Sequence, residues 1–219
     1  MGTNLHYEEK IAVLDLGDDE NRFSPAFLDE INAHLDDVVA ANAQGLVTTG
    51  GGKFYSNGLD LDWLMAHGDQ TQSYVGRVQG MLARFLTLPV PTAAAVVGHA
   101  FGAGAMLALA HDFRVMRSDR GFFCFPEVDI RIPFTPGMAA LIQAKLTAQA
   151  AVASMTTGRR FGGDDAARLG IVDAVAGEGA VTAAAVDIVR PLDGKDAGTL
   201  GAIKQAMFGP AAHALTASS

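Results

Sequence analysis

Glu127 follows Pro126 and a run of bulky apolar residues in "FFCFPEVDIRIP", residues 122–133. A lone carboxylate there is either a surface residue at the end of a strand or an acid placed in a dry pocket. In a dry pocket desolvation favours the neutral form. The pKa then rises toward the range in which a carboxylate can take and return protons near neutrality. Asp129, two residues on, is the rival base. If the stretch is extended, both carboxylates project from the same face.

Two glycine-rich stretches bear on what such a base could act upon. "TTGGGKFYSNGLDLDWL" runs strand, glycine loop, helix start, and "AAAVVGHAFGAGAML" does the same. Two such loops can bring two backbone N–H groups together at helix N-termini, which is how a backbone oxyanion hole is built. The plainer reading is that the glycines only permit close helix–strand packing. Gly98, Gly102 and Gly104 also imitate a dinucleotide site, with Asp119 after the next strand. Against that, the motif sits mid-chain, the first strand "IAVLDLG" lacks a glycine-rich turn, and no tyrosine has a lysine four residues on. No G-x-S-x-G elbow is present. His99 and His111 read as packing or surface residues, and no His/Asp/Glu cluster has metal spacing.

The elements that must position these residues follow from periodicity. "KIAVLDLG" (10–17) reads as a strand. Residues 24–43 read as a helix with Ser24 as N-cap and Pro25 at its first position. "GLVTTG" is a strand and "GGKFYSNG" a loop. "LDLDWLMAHG" is a short helix capped by Asp60, and 73–89 is a longer one. A buried strand spans 90–98 and a small-residue helix 101–111. Two short strands, "FRVMRSD" and "GFFCFP", lead to Glu127. Helices then dominate: two within 135–158, one at 162–170 with Asp164 and Asp165 in its first turn, and two more at 181–192 and 197–208, with "IVDAV" as a late strand. The class is mixed α/β.

The chain has 219 residues, 49% of them apolar and 18% charged, which suits one sizeable folded domain over 1–219. A net charge of −8 without a basic run argues against nucleic acid. A single cysteine, Cys124, excludes an intrachain disulfide and a cysteine zinc site. No apolar run is long enough for a membrane span, no signal peptide is visible, and "TASS" is not a peroxisomal address. A cytoplasmic location is the expectation.

Four stretches, in order, resemble the enoyl-CoA hydratase/isomerase family, the crotonase superfamily. They are "GGKFYSNGLDLDWL", "AAVVGHAFGAGAMLALAHDFRV", "FCFPEVDIRIP" and "TTGRRFGGDDAARLGIVDAV". The resemblance implies a crotonase-like β-β-α superhelix over 1–176 with a helical C-terminal part, 177–219, shortened at its end. It implies a homotrimer or dimer of trimers. It also implies an acyl-CoA thioester substrate, with coenzyme A as part of the substrate and no separate cofactor or metal.

Carried over by position, the oxyanion donors are the N–H groups of Leu59 and Ala103. Asn57, Gly58, Lys53 and Arg22 are candidates for binding coenzyme A. Hydratases of the family use two glutamates; the first falls at Met106 here, the second at Glu127. One base suits moving a proton between carbons. The match is nearest the single-glutamate Δ3,Δ2-enoyl-CoA isomerases, which implies conversion of a 3-enoyl-CoA to a 2-enoyl-CoA. A hydratase, and a non-catalytic acyl-CoA-binding or assembly subunit, are the alternatives. Phe122, Phe123, Phe125 and Met106 are expected to wall off Glu127 from water. Ala103 and Arg131 stand where the family more often has glycine.

Overall fold

The alternation in "IAVLD" has two apolar faces, and the fold buries both. The structure is a computed structural model describing residues 2–217; Ser218 and Ser219 of "TASS" lie outside them. Strand β2 (Ile11–Asp15) pairs antiparallel with β1 (Asn4–Glu8) and parallel with β3 (Gly45–Thr49). β1 is not foreseen by the sequence, because a solvated edge strand such as "NLHYE" carries little apolar patterning. Helix α1 (Pro25–Ala40) joins β2 to β3. Ser24 caps it as expected, its Oγ accepting from Phe27 N at 3.2 Å.

From β3 onward a unit repeats: one strand in a large sheet, one in a small sheet, then helix. β3 leads to β4 (Phe54–Ser56), α2 (Leu61–Ala66) and α3 (Thr71–Thr87). Next come β5 (Thr92–Val96), β6 (His99–Phe101) and α4 (Ala103–Ala110). The third unit is β7 (Phe113–Arg117), β8 (Phe123–Cys124) and the helices α5 (Glu127–Ile130), α6 (Pro136–Lys145), α7 (Ala148–Met155) and α8 (Gly163–Arg168). Strand β9 (Ala174–Ala176) completes the large sheet, ordered β1-β2-β3-β5-β7-β9; the small one is β4-β6-β8. This is the expected β-β-α spiral. It differs from the sequence expectation in that β4 lies inside the first glycine loop, and Phe101, expected to begin a helix, ends the strand β6 instead.

The small sheet positions the site. Its strands are parallel, with Ser56 opposite Ala100 and Phe101 opposite Cys124. Three chain exits therefore lie side by side at one edge: Asn57 after β4, Gly102 after β6, and Phe125 leading to Glu127 after β8.

On the outer face of the large sheet, Ile11, Val13, Val47, Ala93, Ala95 and Val115 pack on Val181, Ala185, Val186 and Val189 of α9 (Val181–Val189). Ala12, Leu14, Leu46, Ala94 and Val96 face the main core on the other side. Helix α10 (Ala197–Ala217) lies along α3 and α6. The sequence ends this helix at residue 208, but it continues through Pro210. A proline costs an interior helix a hydrogen bond. Burial of Phe208, Ala211 and Leu215 on one face offsets it.

Candidate active site

The first loop is tied down from behind. Asn21 Nδ2 donates to the carbonyls of Gly17 (3.1 Å) and Tyr55 (3.0 Å). Ser56 Oγ donates to Asn21 O at 2.8 Å and accepts from Gly58 N at 3.1 Å. Phe23 N donates to Gly58 O at 2.8 Å. Gly58 itself has φ +78°, and a Cβ there would lie 2.8–2.9 Å from Phe101 O, Ala103 N and Gly104 N. Only glycine allows the two loops to come this close.

Gly102, at φ +51°, turns the chain into α4. Ala103 is then the first helical residue, so its N–H has no acceptor within the helix. Among the described residues neither Leu59 N–H nor Ala103 N–H has an acceptor. The positive φ falls on Gly102 and not on Ala103, so alanine is accommodated there without strain. Asp60 caps α2, its Oδ1 accepting from Trp63 N at 3.1 Å. Buried Tyr74 holds this corner: its hydroxyl accepts from Asp60 N and donates to Phe23 O, both at 2.9 Å. Tyr74 escapes sequence reading, since its partners are brought to it only by the fold. Tyr74→Phe is expected to cost about 1–3 kcal/mol, by leaving two backbone groups unpaired; urea titration measures it.

Glu127 does not end a strand. It is the first residue of α5, a single turn after Pro126, and only 9% of it is exposed. Its Oε1 lies 3.4 Å from where a Gly102 Cβ would be, and its buried Oε2 has no hydrogen-bond partner. Burial pushes its pKa up to about 7, opposed only by its own backbone N–H. Because the segment is helical, Asp129 does not share its face. Asp129 is exposed, packs against Gly158 and is not part of the cavity wall. Arg131 ends the turn at φ +59°. This explains why a glycine would suit that position. Arg131→Gly is expected to raise stability by about 1 kcal/mol in thermal unfolding.

A cavity of about 390 Å³ joins these groups. Leu59, Ala103 and Glu127 line it, with an apolar wall of Leu61, Met65, Phe101, Pro126, Ile130 and Ile132. The expected wall is not the observed one. Met106 and Phe125 are buried in the core behind the site, Phe125 edge-on to Phe123 and Phe134. Phe122 packs on His99, away from the cavity.

Arg22 and Asn57 line the cavity, but both are engaged by Glu20, at 2.5 and 3.1 Å, and Arg22 also by Asp62 at 2.5 Å. Lys53 lies outside the cavity, over the ring of Phe54. His111 is fully buried and held neutral, its pKa lowered to about 3 by desolvation; it meets Thr48 Oγ1 and Leu107 O. A larger hollow of about 650 Å³ beside α1 is lined by Asp19, Glu20, Glu30, Asp60 and Asp62. It includes neither free N–H nor Glu127, so the smaller cavity is the candidate site. Among the described residues no cluster of three or more His, Cys, Asp or Glu could hold a metal, and no helix is long and apolar enough to cross a membrane.

A family model described as Enoyl-CoA hydratase/isomerase matches residues 6–219. Enoyl-CoA delta isomerase 3 of Arabidopsis thaliana is 39% identical over 171 residues, covering 75% of this chain and 72% of that protein. The peroxisomal enoyl-CoA delta isomerase 1 of the same plant is 35% identical over 186 residues, covering 82% and 77%. The crystal structure of a probable enoyl-CoA hydratase from Mycobacterium tuberculosis matches with a TM-score of 0.93 at 25% identity, covering 100% of this chain and 93% of that one. The spiral, the paired glycine loops and these matches agree: the chain belongs to the enoyl-CoA hydratase/isomerase family.

Proposed function

We propose that the protein is an isomerase that moves the double bond of a 3-enoyl-CoA thioester to the 2-position. The observation that carries this reading is Glu127: a nearly buried carboxyl with one oxygen unpartnered, beside Gly102 and two free N–H groups. The thioester oxygen accepts from Leu59 N–H and Ala103 N–H. Glu127 takes a proton from C2, and the electron pair spreads through the 3,4 double bond and onto that oxygen as a dienolate. The two N–H groups stabilise the charge where it develops. Glu127 then gives the proton to C4, and the double bond settles between C2 and C3. The carboxylate is regenerated and no co-reactant is consumed. Arg22 and Asn57 at the rim are the proposed contacts to coenzyme A, reached by exchanging their bonds to Glu20. We also propose a homotrimer or dimer of trimers, which light scattering tests.

Hydration is the second reading, favoured by the crystal relative described as a probable enoyl-CoA hydratase. Met106 speaks against it. It stands where the family's first glutamate falls, has no proton to move, and is buried in the core. Turnover of trans-3-hexenoyl-CoA and crotonyl-CoA, followed in the ultraviolet, separates the readings. New conjugated absorbance from the first substrate, with crotonyl-CoA stable, is the isomerase result. Loss of crotonyl-CoA absorbance is the hydratase result. Acyl-CoA binding with neither change is the result for a non-catalytic subunit.

A further inference from the structure

Helix α3 reaches both halves of the site. Tyr74 holds the donor loop, and Gln79, five residues on, meets the segment that carries Glu127. Five residues span about 7.5 Å of a rigid helix. Gln79 is fully buried. Its Oε1 accepts from Thr135 Oγ1 at 2.6 Å, and the same hydroxyl caps α6 by accepting from Met138 N at 3.2 Å. Its Nε2, also buried, has no partner among the described residues. Turning the amide over exchanges the two atoms and still leaves one unpaired. An unpaired buried amide group works against folding, and an apolar side chain of the same length avoids that cost. Packing alone therefore does not account for a glutamine at this position.

Between Glu127 and Thr135 the chain forms a strap. Residues 128–133 are all exposed, so they anchor it little by their own burial. Two of them, Ile130 and Ile132, wall the cavity. The strap closes on itself through Ile132 N, which donates to Glu127 O at 3.0 Å. At its far end Phe134 packs edge-on to Phe125, and Thr135 bonds to Gln79. We propose that Gln79 is a positioning residue: through Thr135 it fixes the far end of this strap, so that one helix, α3, sets the gap between the Leu59 donor and Glu127. The inference rests on the reading of Glu127 as the proton carrier. Such a group must stay within about 3 Å of the atoms it serves, and a displacement of about 1 Å costs up to about a hundredfold in rate. Without the tie the far end keeps the ring contact of Phe134 but loses its directional bond. Glu127 is then no longer held at one distance from the donors.

The test is Gln79→Met in the whole protein. Methionine matches glutamine in length and has no amide to leave unpaired. The melting temperature is expected to stay level or rise. With trans-3-hexenoyl-CoA, kcat is expected to fall by about tenfold or more, with KM within about twofold of wild type. Hydrogen exchange of the amides within 128–134, read by mass spectrometry, is expected to quicken by about tenfold. That second readout needs no turnover. Thr135→Ser keeps the hydroxyl and is expected to retain the wild-type kcat and exchange. Thr135→Val removes it, and the double variant is expected to be no slower than the slower single one, since both act on one contact. With an active wild type, a Gln79→Met protein that changes neither kcat nor exchange, or only one of them, overturns the inference and leaves the isomerase reading standing. So do losses in Gln79→Met and Thr135→Val that multiply in the double variant. Quickened exchange in Gln79→Met, when the wild type itself does not turn over trans-3-hexenoyl-CoA, sinks the isomerase reading and keeps the tie.

Discussion

Glu127→Gln is expected to lower turnover of trans-3-hexenoyl-CoA by about 10²–10⁴-fold, and also to make the protein harder to unfold at pH 8. The first effect is loss of the proposed proton carrier, the one buried carboxyl among the described residues that line the cavity. The second follows from burial. The folded pKa of Glu127 is about 7, against an ordinary 4.5. Between those values the folded protein holds a proton that the unfolded chain has released. Stability attributable to this group therefore falls as pH rises from about 4.5 to 7, and above 7 the full cost of a buried charge applies, on the order of 3 kcal/mol at most. Glutamine carries no charge and escapes that cost. Its amide still lacks a partner at the Oε2 position, so the net gain at pH 8 is about 1–3 kcal/mol. Thermal unfolding of both proteins at pH 5 and pH 8 reads the difference. A variant no more stable at pH 8 than wild type would falsify the buried-carboxylate account. The same ionisation governs rate. The base must be deprotonated, so kcat/KM is expected to climb through about pH 7 and level off above it. A profile that falls through pH 7 means the group acts from its protonated form.

Gly58→Ala is the second large effect. An alanine at φ +78° costs about 1–2 kcal/mol in the backbone alone. Its Cβ would also stand 2.8–2.9 Å from three backbone atoms, Phe101 O, Ala103 N and Gly104 N. None of these is the end of a flexible side chain, so the loops must part. Parting them moves Leu59 N–H away from Ala103 N–H. Misplacing one oxyanion donor costs about 10²–10³ in rate. Turnover is expected to drop by that order while the melting temperature falls. Gly80→Ala is the control. Gly80 lies within α3, and a Cβ there meets nothing within 4 Å. It is expected to keep full turnover and to gain up to about 1 kcal/mol in stability. Equal loss in both variants would rule out the loop-contact explanation.

What the sequence conveyed of this site was local. Ser24 and Asp60 cap their helices as read, because a cap and the N–H groups it serves are three residues apart. The two glycine loops were legible for the same reason. The turn at Glu127 was not: four residues are too few to show a helical period, and the preceding strand suggested more strand. Met106 is expected in the cavity wall because the family resemblance puts a catalytic glutamate at its position, and the sequence of its helix offers nothing to correct that. All eight residues of α4 are buried, so apolar spacing could not say which side meets the site. Arg22 reads from the sequence as a coenzyme A contact or a solvated surface charge. Glu20 is two residues away, but Asp62 reaches it only because the fold brings a segment forty residues on to the same rim. Leu61, Met65, Ile130 and Ile132 went unnoticed as cavity wall because they come from two short helices and the residues after them.

Leu59 and Ala103 contribute N–H groups to the cavity, and every amino acid except proline has one. A saturation scan for loss of function would therefore read side-chain packing at half-buried Leu59 and buried Ala103, and would place the sharpest sensitivity at their neighbours Gly58 and Gly102. A map of the site drawn from substitutions would be one residue out of register, with the loss of each N–H position written on the glycine before it.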